Sequence, residues 1–232
     1  MSDTSPASMP DYCSSSSTKE VLDLFAGLGG FSQAFAADDA YCVTTVDIEE
    51  DFEPDVCADI LDLKWQDLPD ADIILASPPC TAFTQLTISD NWQTDKAGMN
   101  HPITDFAKTS LTLVYHTIGL IKAIDPDWWV MENPRGMLRK VLHPPDYHVW
   151  YCQYDGDSAK PTDLWGHLPL SFEPKTCKYN NPFCDHPRVK SGVNWGGIQS
   201  MGTSAERAKV PFGLSESIKH SIENPKPIQQ TL

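Results

Sequence analysis

Glu20-Val-Leu-Asp-Leu-Phe-Ala-Gly-Leu-Gly-Gly30 is the stretch of the chain that decides the fold. Its first six residues have the apolar pattern of a short buried β-strand. Gly27, Gly29 and Gly30 then permit a tight turn whose backbone N–H groups face a ligand from the start of a helix. Residues 31–37 follow with a helical pattern, so the stretch predicts a strand, a glycine turn and a helix in succession. The glycine spacing differs from the dinucleotide-binding pattern, and a pyrophosphate is therefore not the ligand it favours.

Further strand and helix patterns follow along the chain. Strands are predicted at residues 41–46, 56–59, 71–76, 128–131 and 147–154. Residues 103–124 have the apolar spacing and the length of a helix, which Pro126 ends. After residue 166 the pattern dissolves, apart from a final helix near residues 215–222. The resulting β-α-β-β-β-α-β-β order predicts an α/β fold with a mostly parallel central sheet.

Polar residues follow several of the predicted strands. Besides the glycine turn, the strand ends carry Asp47, Asp59, Cys80 and Glu132. Ligands of parallel sheets bind outside the carboxyl ends of the strands, so we expect these side chains to gather at one edge. Asp47 comes one strand after the glycine turn, which is the position of acidic residues that hydrogen-bond a ribose. The pair indicates a cofactor that contains a nucleoside.

Cys80 and Glu132 are the candidate chemical groups. Cys80 follows Pro78 and Pro79, which remove backbone donors and stiffen a loop, and such a loop suits a nucleophile better than a core residue. Glu132 ends a buried strand, where a carboxylate beside a thiol is a candidate acid or base. The ordinary alternatives are a buried structural cysteine and a hydrogen-bonded structural acid.

The charge of the chain is unevenly distributed. The 232 residues include 17 Lys and Arg against 32 Asp and Glu, a formal net charge of −15, and 41% are hydrophobic, as in a folded protein. Residues 1–169 hold 9 basic and 27 acidic side chains, whereas residues 170–232 hold 8 basic and 5 acidic ones. A polyanionic partner therefore fits the C-terminal quarter better than the acidic body, although an ordinary mixed surface is the alternative. The acidity also fits a halophile's protein.

Residues 1–19 are rich in Ser, Thr and Pro, and they predict a disordered leader without a targeting signal. No uncharged apolar run approaches the roughly 20 residues of a membrane span, so no membrane partner is expected. Seven cysteines are an odd number, which favours a reducing compartment over a disulfide framework. These features predict a cytoplasmic protein.

Cys177, Cys184 and His186 form a C-x6-C-x-H spacing in the irregular region near the C-terminus. The three side chains can ligate a structural Zn²⁺, but the sequence identifies no fourth ligand and the spacing is not that of a standard zinc finger. The alternative is a pair of cysteines packed under a loop. We predict no metal among the site residues and leave a structural ion here open.

Three motifs occur in a fixed order along the chain: Asp23-Leu-Phe-Ala-Gly-Leu-Gly-Gly-Phe-Ser32, Ser77-Pro-Pro-Cys-Thr-Ala-Phe-Thr84 and Glu132-Asn-Pro-Arg-Gly136. Together they resemble the AdoMet-dependent DNA (cytosine-5)-methyltransferase family. Gln153 and Lys160-Pro-Thr-Asp-Leu-Trp165 are similar to a later motif of that family, and the C-terminal part looks like its short phage and viral members. The similarity covers about residues 20–222. It implies a Rossmann-like AdoMet-dependent methyltransferase fold.

The resemblance also implies a reaction and its site residues. Cys80 corresponds to the nucleophile that adds to carbon 6 of a cytosine flipped out of duplex DNA, Glu132 to the carboxylate that holds the ring, and Lys160 to a supporting arginine. The methyl group then passes from S-adenosyl-L-methionine (AdoMet) to carbon 5. The implied cofactor site comprises Phe25 on the adenine, Gly27, Gly29 and Gly30 on the methionine, Asp47 on the ribose, Asp59 on the adenine amine, and Ala26, Ile48, Ile60 and Pro79 around them.

The chain departs from the family pattern in three places. Glu132-Asn-Pro replaces the usual Glu-Asn-Val, no Gly-Asn-Ser-Val-like motif is evident near the C-terminus, and only about 40 residues separate Trp165 from Arg207. The larger target-recognition domain of family members normally lies in that interval. We therefore predict a catalytic domain at 20–166, a short recognition region at 167–205 and a segment at 206–232 that completes the catalytic domain, in a monomer.

Two other functions are compatible with the motifs. The substrate can be a structured RNA such as tRNA, as in one branch of the family. Alternatively, the missing C-terminal motif suggests a catalytically silent protein that binds AdoMet or nucleic acid, although the retained Cys80 and Glu132 speak against it. If the protein is viral, the predicted compartment is the host cytoplasm.

Overall fold

A seven-stranded sheet runs through the computed structural model, which describes residues 18–178, 181–185 and 203–226. The strands in chain order are β1 (Lys19–Leu24), β2 (Tyr41–Asp47), β3 (Val56–Cys57), β4 (Ile73–Ala76), β5 (Trp92–Thr94), β6 (Asn100–Pro102), β7 (Trp128–Pro134), β8 (Tyr147–Trp150) and β9 (Pro161–His167). In space the sheet has the order β3-β2-β1-β4-β7-β9-β8, while β5 and β6 form a separate antiparallel hairpin. In this sheet β3, β2, β1, β4 and β7 are parallel to one another. Strand β9 pairs antiparallel with β7, and β8 pairs antiparallel with β9 at the edge. The predicted α/β fold with a mostly parallel sheet is confirmed.

Helices pack on both faces of this sheet. They are α1 (Gln33–Ala36), α2 (Ile88–Asn91), α3 (Asp105–Ile124), α4 (Leu138–Val141), α5 (Ser204–Ala208) and α6 (Phe212–Glu223). Helix α3 begins where the Thr104 hydroxyl accepts a hydrogen bond from the Ala107 N–H, and it ends at Asp125, whose φ of 56° is left-handed. These bounds agree with the helix predicted at residues 103–124.

Two hydrophobic clusters lie on opposite faces of the sheet. Alternate residues of a strand point to opposite faces, and accordingly Leu22 and Ile74 belong to one cluster while Val21 and Ile73 belong to the other. Helix α3 packs in the first cluster, and helices α1 and α6 pack in the second. Both faces of the parallel strands are therefore buried, which explains their nearly continuous apolar sequence.

The C-terminal helix α6 is fastened to α1 by a buried serine. The Ser215 hydroxyl accepts a hydrogen bond from the Ala34 N–H at 3.1 Å and donates one to the Phe31 carbonyl at 2.6 Å. Just before α6, the Val210 backbone lies so close to Gly30 that a Cβ on the glycine would be 2.8 Å from it. The end of the chain thus packs directly against the glycine turn at its beginning.

Several predicted boundaries were wrong. Lys19 lies in β1, opposite Tyr41, and not in a leader, of which residues 1–17 lie outside the described residues. The strand predicted at 147–154 ends at Trp150 because the chain then winds into a 3₁₀ turn at Tyr151–Gln153. The helix predicted at 31–37 is reduced to α1. Strand β9 was not predicted, since its first residue is Pro161 and proline favours strand starts and edges.

Two further findings concern the cysteines and the helices. Cys42 is disulfide-bonded, which contradicts the expectation that the cysteines carry no disulfides. The other cysteines of the described part are thiols, namely Cys57, Cys80, Cys152, Cys177 and Cys184. None of the helices within the described ranges is long and apolar enough to cross a membrane.

Candidate active site

A small cavity of about 120 Å³ opens beyond the carboxyl ends of β1, β2 and β3. Six of the predicted cofactor residues line it, namely Phe25, Asp47, Ile48, Asp59, Ile60 and Pro79. Val46, Ala58, Leu61, Thr109 and Leu113 complete the lining. The walls are thus mostly apolar with two carboxylates, a combination that suits a flat heterocycle attached to a hydroxylated sugar. The predicted residues Ala26, Gly27, Gly29 and Gly30 form the adjacent turn.

The glycine turn has the left-handed backbone that its sequence predicts. Gly27 and Gly29 have φ values of 50° and 65°, and Phe25 shares this region at 62°, where a side chain other than glycine is strained. The Asp47 carboxylate secures the turn by accepting hydrogen bonds from the Gly27 N–H at 2.8 Å and the Glu49 N–H at 3.0 Å. Asp47 therefore holds the turn as well as lining the cavity.

Beneath the turn, Asp23 is a fully buried acid. The Ser32 hydroxyl donates a hydrogen bond to its Oδ2 at 2.6 Å, whereas Oδ1 has no partner among the described residues. Burial raises the pKa of Asp23 to about 7, with a small further increase from Asp47 and an opposing effect of Ser32. The sequence motif contained this residue, but nothing in its pattern indicated a titrating group.

Cys80 lies in the loop after β4, half-buried, where its carbonyl accepts hydrogen bonds from the Phe83 and Thr84 N–H groups. Burial raises the pKa of the Cys80 thiol, Lys160 lowers it and Glu132 raises it. The charges of Lys160 and Glu132 thus both act on this thiol. The ammonium and a backbone hydrogen bond of Cys80 itself favour the thiolate.

Glu132 is the buried acid at the end of β7, with 3% of its surface exposed. Its Oε1 accepts a hydrogen bond from the Tyr151 hydroxyl at 2.7 Å and lies 3.6 Å from the Lys160 ammonium. Burial and the neighbouring carboxylate raise the pKa of Tyr151 well above its ordinary value, so the phenol remains a donor. Lys160 lies 3.5 Å from the same phenol oxygen. Tyr151 was missed at the sequence level, where it was one of several aromatic residues in an alternating segment.

The chain around Glu132 also positions the cysteine loop. The Asn133 amide donates a hydrogen bond to the Pro78 carbonyl at 3.0 Å, and the Met137 N–H donates one to the Phe83 carbonyl at 2.7 Å. A Cβ on Gly136 would be 2.0 Å from that carbonyl, which only glycine permits. Two hydrogen bonds and one close approach therefore fix the loop that carries Cys80.

An ion pair holds β9 in place, and Lys160 directly precedes the first residue of this strand. The buried Asp163 carboxylate accepts a hydrogen bond from Arg139 Nε at 2.7 Å and lies 3.0 Å from His148 Nδ1. The guanidinium belongs to α4 and the imidazole to β8, so these contacts connect β9 to α4 and to β8. Burial of Asp163 makes this pairing necessary, because an isolated carboxylate there is costly.

The structure covers only part of the C-x6-C-x-H spacing, for which a zinc ion was left open. Cys177 and Cys184 lie near each other, together with Cys152, which the sequence spacing did not suggest. His186 lies outside the described residues. Gln153, noted for its motif position, donates a hydrogen bond to the Cys184 sulfur at 3.4 Å.

The parallel sheet, the glycine turn and the cavity at the strand ends define the class of AdoMet-dependent methyltransferase folds. A family model described as C-5 cytosine-specific DNA methylase matches residues 19–143. The chain belongs to that family and is an AdoMet-dependent DNA (cytosine-5)-methyltransferase.

Individual relatives agree with this assignment. A probable DNA (cytosine-5)-methyltransferase of Frog virus 3 is 29% identical over 211 residues, which cover 82% of this chain and 94% of the viral protein. The type II methyltransferase M.NlaX of Neisseria lactamica is 32% identical over 127 residues, 49% of this chain and 36% of the relative. M.AluI of Cellulosimicrobium cellulans is 28% identical over 145 residues, 56% of this chain and 24% of the relative. The chain thus spans nearly all of a viral relative and a minor part of the bacterial ones, and the resemblance to short viral members is confirmed.

Proposed function

We propose that this chain methylates carbon 5 of a cytosine flipped out of duplex DNA, and that Cys80 is the nucleophile that adds to carbon 6. The observation that carries the proposal is the common environment of Cys80, Glu132 and Lys160. Flipping costs a few kcal/mol, and it is required because the reacting carbons are stacked inside the duplex.

The Cys80 thiolate forms a bond to carbon 6, and the electron pair of the 5,6 double bond makes carbon 5 nucleophilic. Glu132 accepts a hydrogen bond from the exocyclic amine and, once ring nitrogen 3 is protonated, one from its N–H as well, which stabilises the protonated ring as the adduct forms. Tyr151 donates to the same carboxylate, so it orients Glu132 towards the base. After carbon 5 has been methylated, loss of its proton restores the double bond and expels the thiolate.

Lys160 has two roles in this proposal. Its ammonium favours the Cys80 thiolate, and it also partly balances the charge of Glu132 at 3.6 Å. With 12% of the side chain exposed, the lysine is shielded enough for these interactions to be stronger than in water. It occupies the place that the family pattern gives to an arginine.

The residues around the cavity fit AdoMet. Phe25, Ile60 and Pro79 offer apolar surface to an adenine, while the Asp47 and Asp59 carboxylates offer acceptors to ribose hydroxyls and to the adenine amine. Asp47 retains lone pairs for this after accepting two backbone hydrogen bonds. When bound, AdoMet supplies the methyl group as an electrophile. The glycine turn is proposed to face its methionine part.

The surrounding regions complete the proposal. Residues 167–205 are assigned to target recognition and residues 206–232 to completing the catalytic domain, in a monomer that acts in the cytoplasm. The relative basicity after residue 170 supports DNA contact by this part, because the rest of the chain is strongly acidic. Adaptation to high salt stays a prediction, with the corollary that methylation depends less on salt than in a basic relative.

The decisive assay measures transfer of a labelled methyl group from AdoMet to duplex DNA and, in parallel, to tRNA. We expect duplex methylation by the wild type and by Cys57→Ser, which alters an exposed thiol, and loss of at least a thousandfold in Cys80→Ser, as in removal of a nucleophile. Equal activity of Cys80→Ser and wild type contradicts the thiol mechanism, and transfer to tRNA alone contradicts the DNA substrate. Covalent trapping on 5-fluorocytosine DNA distinguishes an enzyme from a silent binding protein.

A further inference from the structure

We propose that Cys152, Cys177 and Cys184 bind a Zn²⁺ ion that fastens the region after β9 to the edge of the catalytic sheet. Their three sulfur atoms all lie within 4.8 Å of one another. Zinc–sulfur bonds of about 2.3 Å at tetrahedral angles place two ligand sulfurs about 3.8 Å apart, so an ion fits after movements of about 1 Å or less. Three thiolates provide a soft ligand set that selects zinc over Mg²⁺ or Ca²⁺.

The three cysteines come from two distant parts of the sequence. Cys152 lies in the 3₁₀ turn after β8, and the other two belong to the chain that follows β9. Backbone contacts already bring these parts together: the Trp150 N–H donates to the Lys175 carbonyl at 3.1 Å, and the Lys175 N–H donates to the Tyr154 hydroxyl at 2.8 Å. The thiol cluster is therefore held by the fold and does not depend on one flexible loop.

Amide groups surround the sulfur atoms in the way that metal-bound thiolates require. The Gln153 side chain donates to the Cys184 sulfur at 3.4 Å, and the Asn181 side chain donates to the Cys177 sulfur at 3.3 Å. Hydrogen bonds of this kind orient a ligand and stabilise its negative charge. A purely hydrophobic cluster of cysteines has no need of two such donors.

The region contains few buried apolar residues. Phe183, next to Cys184, is 95% exposed, and the buried apolar residues among the described residues 169–185 are Pro169, Phe172 and Cys184. Short segments without a core of their own are commonly fastened by a metal or by disulfides. A disulfide joins two of three adjacent thiols and leaves one over, whereas a metal ion uses all three. Four ligands are usual for structural zinc, and the fourth position is open to solvent or another side chain.

Zinc binding here has a consequence for the active site. Cys152 directly follows Tyr151, whose hydroxyl donates to Glu132. An ion on Cys152 therefore connects the proposed recognition region with the residue that orients the carboxylate. This inference is independent of the chemistry proposed for Cys80, and its test needs no methylation assay.

The first test measures bound zinc by elemental analysis of the full chain after loading under reducing conditions and desalting. We expect about one equivalent in the wild type and in Cys57→Ser, and its loss in Cys152→Ser, Cys177→Ser and Cys184→Ser. Replacement of zinc by Co²⁺ in the wild type should give the sulfur-to-cobalt charge-transfer and visible bands of a tetrahedral thiolate site. A wild type that retains no zinc, or one whose cobalt spectrum lacks these bands, overturns the proposal.

The second test avoids substitutions, because a variant that fails to fold loses zinc for another reason. Wild-type protein is alkylated with and without zinc, and the modified cysteines are identified by mass spectrometry. We expect zinc to protect Cys152, Cys177 and Cys184, chelation to expose them, and Cys57 to react equally in both cases. Unchanged alkylation of the three cysteines, or a disulfide between any two of them in the loaded protein, contradicts the metal site.

Discussion

The two sides of the site are built on different kinds of sheet. The cavity beside Phe25 and Asp47 lies at the ends of parallel strands β1, β2 and β3, whereas Lys160 and Tyr151 come from the antiparallel edge formed by β9 and β8. Cys80 and Glu132, at the ends of β4 and β7, lie where the parallel strands meet that edge.

Side chains of one site are thus contributed both by the ends of parallel strands and by an antiparallel edge. Parallel strands end at the same edge, so each turn that follows one contributes locally and can be identified from a short motif. The antiparallel edge delivers its groups through long-range pairing, such as the ladder that joins Glu132 to Leu164. We therefore expect changes on the parallel side to affect cofactor binding, and changes at the junction and the edge to affect chemistry.

Apart from removal of the nucleophile itself, the largest expected effect is at the junction, in Gly136→Ala. The added Cβ would lie 2.0 Å from the Phe83 carbonyl, so the cysteine loop must move by about 1 Å, and such misplacement can cost about 100-fold in kcat. Gly119→Ala, in an open helical position of α3, is the matched control and should keep its activity. Steady-state kinetics measure the effect. Undiminished kcat in Gly136→Ala means that the close approach does not position Cys80.

The second largest of these effects is expected at the antiparallel edge, in Lys160→Met. Loss of the ammonium raises the pKa of the Cys80 thiol further, so less thiolate is present at neutral pH. We expect about a tenfold lower kcat/KM near neutral pH and partial recovery at higher pH, since one pKa unit corresponds to a tenfold change in thiolate. The pH profile is compared with that of Lys122→Met, an exposed lysine of α3. A uniform decrease at every pH assigns Lys160 a purely structural role.

A smaller effect is expected on the parallel side, in Asp47→Asn. The amide keeps the size of the side chain but loses the charge and one acceptor, so the hydrogen bond from Gly27 and those proposed for the ribose weaken. A loss of about 1 kcal/mol corresponds to about a fivefold higher Kd for AdoMet. Isothermal titration calorimetry measures it, with kcat at saturating AdoMet as the contrast. A change in kcat without a change in Kd contradicts the assignment of the parallel side to cofactor binding.

The smallest effect concerns the buried acid under the glycine turn. Folding raises the pKa of Asp23 from 3.8 to about 7, so the native state favours the protonated form. Its contribution to stability is fully present below the unfolded pKa and is lost as the pH rises through about 7. At about pH 5 the Tm of Asp23→Asn should therefore be close to that of the wild type. At about pH 8 it should be a few degrees higher than that of the wild type. Thermal melts at both pH values, with exposed Asp70→Asn as control, test this, and a pH-independent difference contradicts it.

The ends of the parallel strands could be predicted from sequence, and the edge could not. Asp47 is the last residue of β2, and Asp59 and Cys80 lie two and four residues beyond β3 and β4. Glu132 lies two residues before the end of β7, so local apolar patterns place all four near the carboxyl edge of the sheet. Tyr151 follows a strand too, but the 3₁₀ turn that aims its hydroxyl at Glu132 has no periodic signal.

Long-range contacts account for the other omissions. Cys152 lies 25 residues before Cys177, and nothing local connects it to the later cysteines. Helix α6 was expected only as a short helix near residues 215–222, and its role in packing on the glycine turn was not seen.

Because α6 packs on α1, the chain segment between β9 and Val210 begins and ends in the same domain. Both ends of this segment are therefore anchored. The entropy of closing such a loop grows slowly, by about 0.6 kcal/mol for each doubling of its length. Exchanging this stretch for a longer one therefore changes stability little, provided that the anchor points are kept.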